Sequence, residues 1–266
     1  MPSSADLSLG PLVSLFTLLI IMLATARSVP TVHTHAQADP TQRTTQPYVT
    51  GSSVIGIKYK DGVMIASDTL ASYGSMARFK DVCRIKQVGE NAIVGAGGEF
   101  SDFQSISEML DTMVQEDYNL DDGFERSPIE IYSYLRAVIY QRRNKFNPLW
   151  NNLVVGGFKE GQAFLGTIDN IGTAFEDNLI ATGFGTHLAL PILRKRWVPD
   201  MEEGEARALL EDCLRVCFYR DCRSSRRIQI AKATSEGSMI SEPFDLETMW
   251  TFESFVQGVV DDTGSW

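Results

Sequence analysis

Val54-Ile55-Gly56-Ile57-Lys58-Tyr59-Lys60-Asp61-Gly62-Val63-Met64-Ile65-Ala66 is the stretch on which the fold turns. Two runs of β-formers, 54–59 and 63–66, are joined by Lys60-Asp61-Gly62, and Asp-Gly between such runs marks a β-hairpin. Neither run alternates apolar with polar, so both faces of each strand are expected to be buried. The pattern returns downstream, where 153–158 and 163–168 flank the turn Lys159-Glu160-Gly161. Ala92 to Ala96 reads as a further strand running into Gly97 and Gly98. Ile228 to Ala233 alternates and then turns at Glu236-Gly237.

Helical patterns lie between these hairpins. Ser101 and Gln104 have capping-box spacing ahead of a stripe of Phe103, Ile106, Leu110, Met113 and Val114. Ser127-Pro128-Ile129-Glu130 combines an N-cap, a proline at the first helical position and a capping-box glutamate. Its stripe is Ile131, Leu135, Val138 and Ile139. Further helices are expected over 186–196 and 204–219, the latter turning Ala208, Leu209, Cys213, Val216 and Cys217 inward. Two hairpin-rich halves, each with a helix pair, give an α+β class: a four-layer αββα sandwich, two antiparallel sheets flanked by helices. The hairpins exclude a parallel doubly wound sheet.

The 266 residues carry 24 Lys plus Arg against 34 Asp plus Glu, a formal charge of −10. A chain this acidic repels phosphate backbones, so no nucleic-acid partner is expected. Residues 1–44 balance Asp6 and Asp39 against Arg27 and Arg43, so the negative charge lies downstream. Leu12 to Ala26 is an apolar run ending in Ala24-Thr25-Ala26, which is like a secretory signal, yet no Lys or Arg precedes it. It is too short for a comfortable membrane span, and no membrane association is expected. Ser28 to Thr50 reads as an extended, removable segment. Cys83, Cys213, Cys217 and Cys222 are too few for a disulfide scaffold and are expected to be reduced thiols. No metal is expected there, or at His33 and His35, because neither group has further ligands at the right spacing.

The chemistry-bearing residues gather around strand ends. Gly51-Ser52-Ser53 precedes the first strand, Asp68 ends the second, and Arg84 and Gly97-Gly98 follow. Asp221 and Ser224 come after the last helix. From about Thr45 to Phe255 the chain resembles proteasome β subunits. The resemblance rests on Gly-Val-Met-Ile-Ala-Ser-Asp (62–68), the paired glycines 97–98, and Tyr-Arg-Asp (219–221). Finer motifs are similar to the class that fills the seventh β-ring position: 73–79, the stretch Arg142 to Asn151, and Ala-Thr-Gly-Phe-Gly (181–185).

That resemblance implies an N-terminal nucleophile hydrolase fold. Catalytic members cut themselves after a glycine, and the exposed threonine attacks through its hydroxyl while its free amine takes the proton. The matching positions here are Gly51 and Ser52. Asp68 matches the aspartate that anchors a lysine, and Arg84 stands at the lysine. Gly98 matches the oxyanion-hole glycine. Phe184 stands at the first orienting serine, while Asp221 and Ser224 match the remaining pair. A guanidinium keeps its proton at neutral pH and is wider than an ammonium. Arg84 and Phe184 are therefore expected to plug the pocket, which makes the site vestigial and the chain a non-catalytic subunit. Asp68 and Arg84 are then expected to form an ion pair between strands, and Asp221 to cap the preceding helix. The alternative is a serine-type peptidase that frees Ser52 by self-cleavage after Gly51. A secreted protein of another role is favoured only by residues 1–26.

The resemblance further implies a leading segment, 1–44, trimmed by neighbouring subunits at Thr44 or Thr45. The β-subunit domain is expected over 45–245 and a C-terminal tail over 246–266. The implied partners are β subunits of the same ring, α-ring subunits, and β subunits of the opposite ring met through the tail. Arg142, Arg143, Trp150, Trp250, Phe252, Phe255 and Trp266 are the expected interface anchors, with Lys145 and the run Arg194 to Trp197 beside them. No cofactor is implied, and the implied location is cytoplasm and nucleus.

Overall fold

The computed structural model describes residues 46–251. The hairpin read from Asp61-Gly62 is present as β2 (Val54–Tyr59) and β3 (Gly62–Asp68), antiparallel, with Tyr59 opposite Gly62. All of β3 is buried, as the unalternating sequence requires. Around it forms a six-stranded sheet in the order β11 (Leu179–Ala181), β2, β3, β12 (Arg227–Thr234), β13 (Gly237–Ile240), with β14 (Phe244–Asp245) also paired to β12. The clean alternation expected along β12 is absent, because Gln229 is buried and its amide donates to the Ser241 carbonyl.

The second sheet has eight strands in the order β10 (Ala174–Glu176), β9 (Gln162–Ile168), β8 (Asn151–Lys159), β7 (Ala92–Glu99), β1 (Val49–Gly51), β4 (Ala71–Tyr73), β5 (Met76–Phe79). The eighth, β6 (Ile85–Val88), shares one edge of β7 with β1. It pairs along residues 92–95, and β1 pairs at Gly98 and Glu99.

Three apolar clusters separate four layers. One lies between the sheets, with Val54, Ile65, Ile93, Val154 and Leu165. A second joins the eight-stranded sheet to α1 (Phe100–Leu120) and α2 (Pro128–Asn144). The third joins the other sheet to α3 (Gly185–Leu188), α4 (Leu190–Arg196) and α5 (Glu203–Arg220). This is the expected αββα sandwich.

Several local expectations are corrected. The helix expected over 186–196 is two pieces, with Pro191 in the first turn of α4. Proline lacks the N–H that a continuous helix would need. The first helix has no capping box. It starts at Phe100, and Ser101 donates to the Glu99 carboxylate at 3.0 Å. The second has the box as read, with Glu130 accepting from the Ser127 amide and hydroxyl. In α5 the buried face is Ala206, Leu209, Leu210, Cys213, Leu214 and Cys217, while Ala208 is exposed. Val49 and Thr50 lie in a strand within the domain, so the segment read as removable ends before them.

Candidate active site

The site lies where β1 ends, between β7 and β4. Gly51 stands opposite Gly98 of β7 on one side and Ala71 of β4 on the other. Ser52 and Ser53 follow, and the chain then enters the other sheet as β2. This crossing brings groups from both sheets onto two serines.

Arg84 is the centre of the site. It precedes β6 and is 1% exposed. Its Nε donates to the Asp68 carbonyl at 3.0 Å. Nη1 donates to the carbonyls of Ser52 at 3.0 Å and Ala96 at 3.1 Å. Nη2 donates to the Ser53 carbonyl at 3.1 Å and to Asp68 Oδ1. A guanidinium has five N–H donors, and each has an acceptor here. The planar fork ties β3, β7 and the 52–53 crossing together, which a single ammonium could not do.

Asp68 is also 1% exposed. Its second oxygen accepts from the Ser225 amide at 2.8 Å. Burial pushes its carboxyl up, while the Arg84 charge and the Ser225 amide oppose that push. The expected ion pair is thus present, and it does more than join two strands.

Ser52 is half-buried, and its hydroxyl donates to Asp221 Oδ2. Asp221 follows α5 and is buried. Its other oxygen accepts from the Arg223 amide at 2.9 Å. The carboxylate therefore closes a turn and holds Ser52; the contact to the helix end comes from the Asp221 amide, on the Cys217 carbonyl at 2.8 Å. The expectation of a side-chain helix cap is corrected accordingly. Ser224 is half-buried, and its amide donates to the Asp221 carbonyl at 3.2 Å.

Gly98 has φ of +91°, and a Cβ there would collide with the Trp150 carbonyl oxygen. Glycine is required by the backbone at this point, apart from any chemistry. Phe184, just ahead of α3, is 59% exposed. Its ring does not fill a buried pocket, contrary to the expectation that it would help plug one.

Several residues that build the site carried no motif. Ser53 is buried and accepts from the Gly185 amide at 2.8 Å. Thr182 Oγ1 accepts from the Val54 amide at 3.0 Å. The Asn151 amide donates to the carbonyls of Gly97 and Glu99 at 3.1 and 2.8 Å, holding β7 straight beside Gly98. The Glu99 carboxylate accepts from the amides of Tyr48 and Val49. These contacts span 50 or more positions along the chain, which local reading does not reach.

The expected interface anchors divide. Arg142 is half-buried and donates to the Asn147 carbonyl at 3.1 Å, so it shapes its own loop. Trp150 is half-buried, and its amide donates to Asp102 at 2.8 Å. Arg143 is exposed over the Tyr140 ring. Trp250 is 60% exposed although it meets Phe218 and Tyr219 edge-on. Phe252, Phe255 and Trp266 lie outside the described residues, as do Thr44, Thr45 and the apolar run 12–26. Among the described residues no cluster of three His, Cys, Asp or Glu could hold a metal, and no helix is long and apolar enough to cross a membrane.

Residues 48–233 match the family model described as Proteasome subunit. This chain belongs to the proteasome subunit family. Among its relatives, a "Proteasome subunit beta type-4" of Arabidopsis thaliana is 50% identical over 228 residues, covering 86% of this chain and 93% of that protein. The protein of the same name from Dictyostelium discoideum is 52% identical, covering 78% and 81%. "Proteasome subunit beta type-7" of Saccharomyces cerevisiae is 40% identical, covering 84% and 89%. The chain is thus a proteasome core β subunit, and the family match begins at Tyr48, one residue ahead of β1.

Proposed function

We propose that this chain is a non-catalytic β subunit of the proteasome core particle, at the seventh ring position. The observation that carries the reading is Arg84. Its guanidinium occupies the place of a proton-tuning lysine and directs every N–H to a carbonyl or to Asp68. A group so bound neither accepts a proton nor makes room for an ammonium. Ser52 is continuous with β1, so while that strand stays in place Ser52 has no free α-amine to act as base.

In this reading the subunit serves assembly. Its partners are β subunits of its own ring, α-ring subunits, and β subunits of the opposite ring reached through the tail beyond Trp250. Trp250 rests on the end of α5 yet keeps most of its surface open, a large apolar group that a partner would cover. The location is that of the assembled particle, cytoplasm and nucleus, and residues 1–44 are trimmed at Thr44 or Thr45 by neighbouring subunits.

A second reading, a serine-type peptidase, is favoured by one contact: the Ser52 hydroxyl already meets a carboxylate, Asp221. Treating the native particle with a peptide epoxyketone and weighing each subunit separates the two. The non-catalytic reading expects active subunits to gain the inhibitor's mass and this one to stay unchanged. An adduct on this chain would overturn it.

A further inference from the structure

The strand β1 lies between two others, with Val49, Thr50 and Gly51 opposite Tyr73, Ser72 and Ala71, and with Thr50 and Gly51 opposite Glu99 and Gly98. At three residues β1 is at the short end of strand lengths, so it has few side chains of its own to hold it. What secures its outer end is Glu99. Glu99 is the last residue of β7 and is buried. One of its oxygens accepts from the Tyr48 and Val49 amides, and the other from the Ser101 hydroxyl. The Tyr48 ring stacks on Tyr73, with centroids 6.1 Å apart. A buried carboxylate that binds two consecutive amides makes charge-assisted bonds, stronger than neutral ones.

We propose that Glu99 is a latch that sets where N-terminal trimming of this chain stops. Hydrolysis of a peptide bond by a neighbouring subunit adds water across it and leaves a carboxylate and an amine. To be cut, the segment must lie extended in that subunit's groove. Residues 48–51 already spend their backbone on β4, β7 and Glu99, so they must first detach. Among the described residues ahead of Tyr48, Gln46 and Pro47 are exposed and lie in no strand. The cut therefore falls upstream of Tyr48, and Tyr48 to Gly51 stay attached to Ser52. The proposal rests on the non-catalytic reading, which has trimming done by other subunits. Glu99 acts through the strand and is a positioning residue.

The test compares native particles carrying the wild-type chain, Glu99→Ala or Glu99→Gln, by intact mass of this subunit and by amide hydrogen exchange over 46–52. The wild-type chain should begin upstream of Tyr48 and protect the amides of Val49 to Gly51. Glu99→Ala should yield chains shortened into 48–52. Glu99→Gln keeps an acceptor oxygen and should keep the wild-type start, with faster exchange at Tyr48 and Val49. If Glu99→Ala does not enter particles, the Glu99→Gln exchange decides. The same start in Glu99→Ala as in wild type, unchanged exchange in Glu99→Gln, or free exchange at 49–51 in wild type would each overturn the latch. An epoxyketone adduct on Ser52 strikes the non-catalytic reading; an unshifted start in Glu99→Ala strikes only the latch.

Discussion

Arg84 lies where a side chain on Gly51 would have to go: a Cβ there would run into Arg84 Cδ and come within 2.9 Å of Nε and 3.0 Å of Nη1. By resemblance to catalytic members of the family, this glycine stands where self-cleavage would fall. Here it is also the only residue that leaves room for a buried guanidinium. Because five hydrogen bonds fix that guanidinium, it cannot swing aside.

Gly51→Ala is therefore expected to destabilise the subunit by about 1–3 kcal/mol, the range for overpacking a close-packed site. Pulse proteolysis of the native particle, following this chain alone, reads the loss. Gly204→Ala serves as a reference without a collision, since nothing lies within 4 Å of its Cβ position and, like Gly51, it has no positive φ.

Removing the guanidinium should cost more. Arg84→Met leaves the Asp68 carboxylate buried without a partner charge, for which about 3–5 kcal/mol is typical. Asp68→Leu in the same chain should recover part of that loss, because the uncompensated charge goes with it. Arg84→Lys should be milder than Arg84→Met. Combined with Phe184→Ser it should still give no epoxyketone adduct, since neither change frees an amine at Ser52.

Much of the architecture was legible because its signals are local. Asp61-Gly62 places β2 against β3, Ser127-Pro128-Ile129-Glu130 starts α2, and apolar stripes give the buried faces of α1 and α2. The rest depends on partners distant in sequence. Val49-Thr50-Gly51 is too short to show a period and is a strand only because β4 and β7 lie beside it. The Ser101–Gln104 spacing misleads because Glu99 takes the Ser101 hydroxyl. At the site, Asp68 and Arg84 were readable as a pair. The exposure of Phe184 and the capture of Ser52 by Asp221 depend on how two sheets meet, which no window of sequence contains.

The four thiols should divide by reactivity. Burial pushes the thiols of Cys213 and Cys217 up to about 12; Cys217 and Asp212 add to it at Cys213, and Asp221 and Asp68 add to it at Cys217. At pH 8 the thiolate fraction of such a group is on the order of one in ten thousand. Cys83 and Cys222 are exposed. Iodoacetamide on the folded chain should label the exposed pair and leave Cys213 and Cys217 until denaturant is added; peptide mapping reads the order.

The start of α2 should weaken in acid. The Ser127 amide and hydroxyl hold the Glu130 carboxyl below its ordinary range. A carboxyl depressed in the folded state contributes stability above its unfolded pKa and loses it as pH falls through the folded one. Amide protection at the first turn of α2, taken relative to the intrinsic exchange rate at each pH, should therefore fall below about pH 4. Glu130→Gln should exchange faster at neutral pH and lose this acid dependence. An acid response that persists in Glu130→Gln would show that another group is responsible.

If the subunit is non-catalytic, its own strand, and not a freed serine, ends in this site. Intact-mass analysis of the subunit released from native particles addresses it directly. The expected mature chain begins upstream of Tyr48 and still contains Gly51 joined to Ser52. A mature chain whose first residue is Ser52 would contradict it.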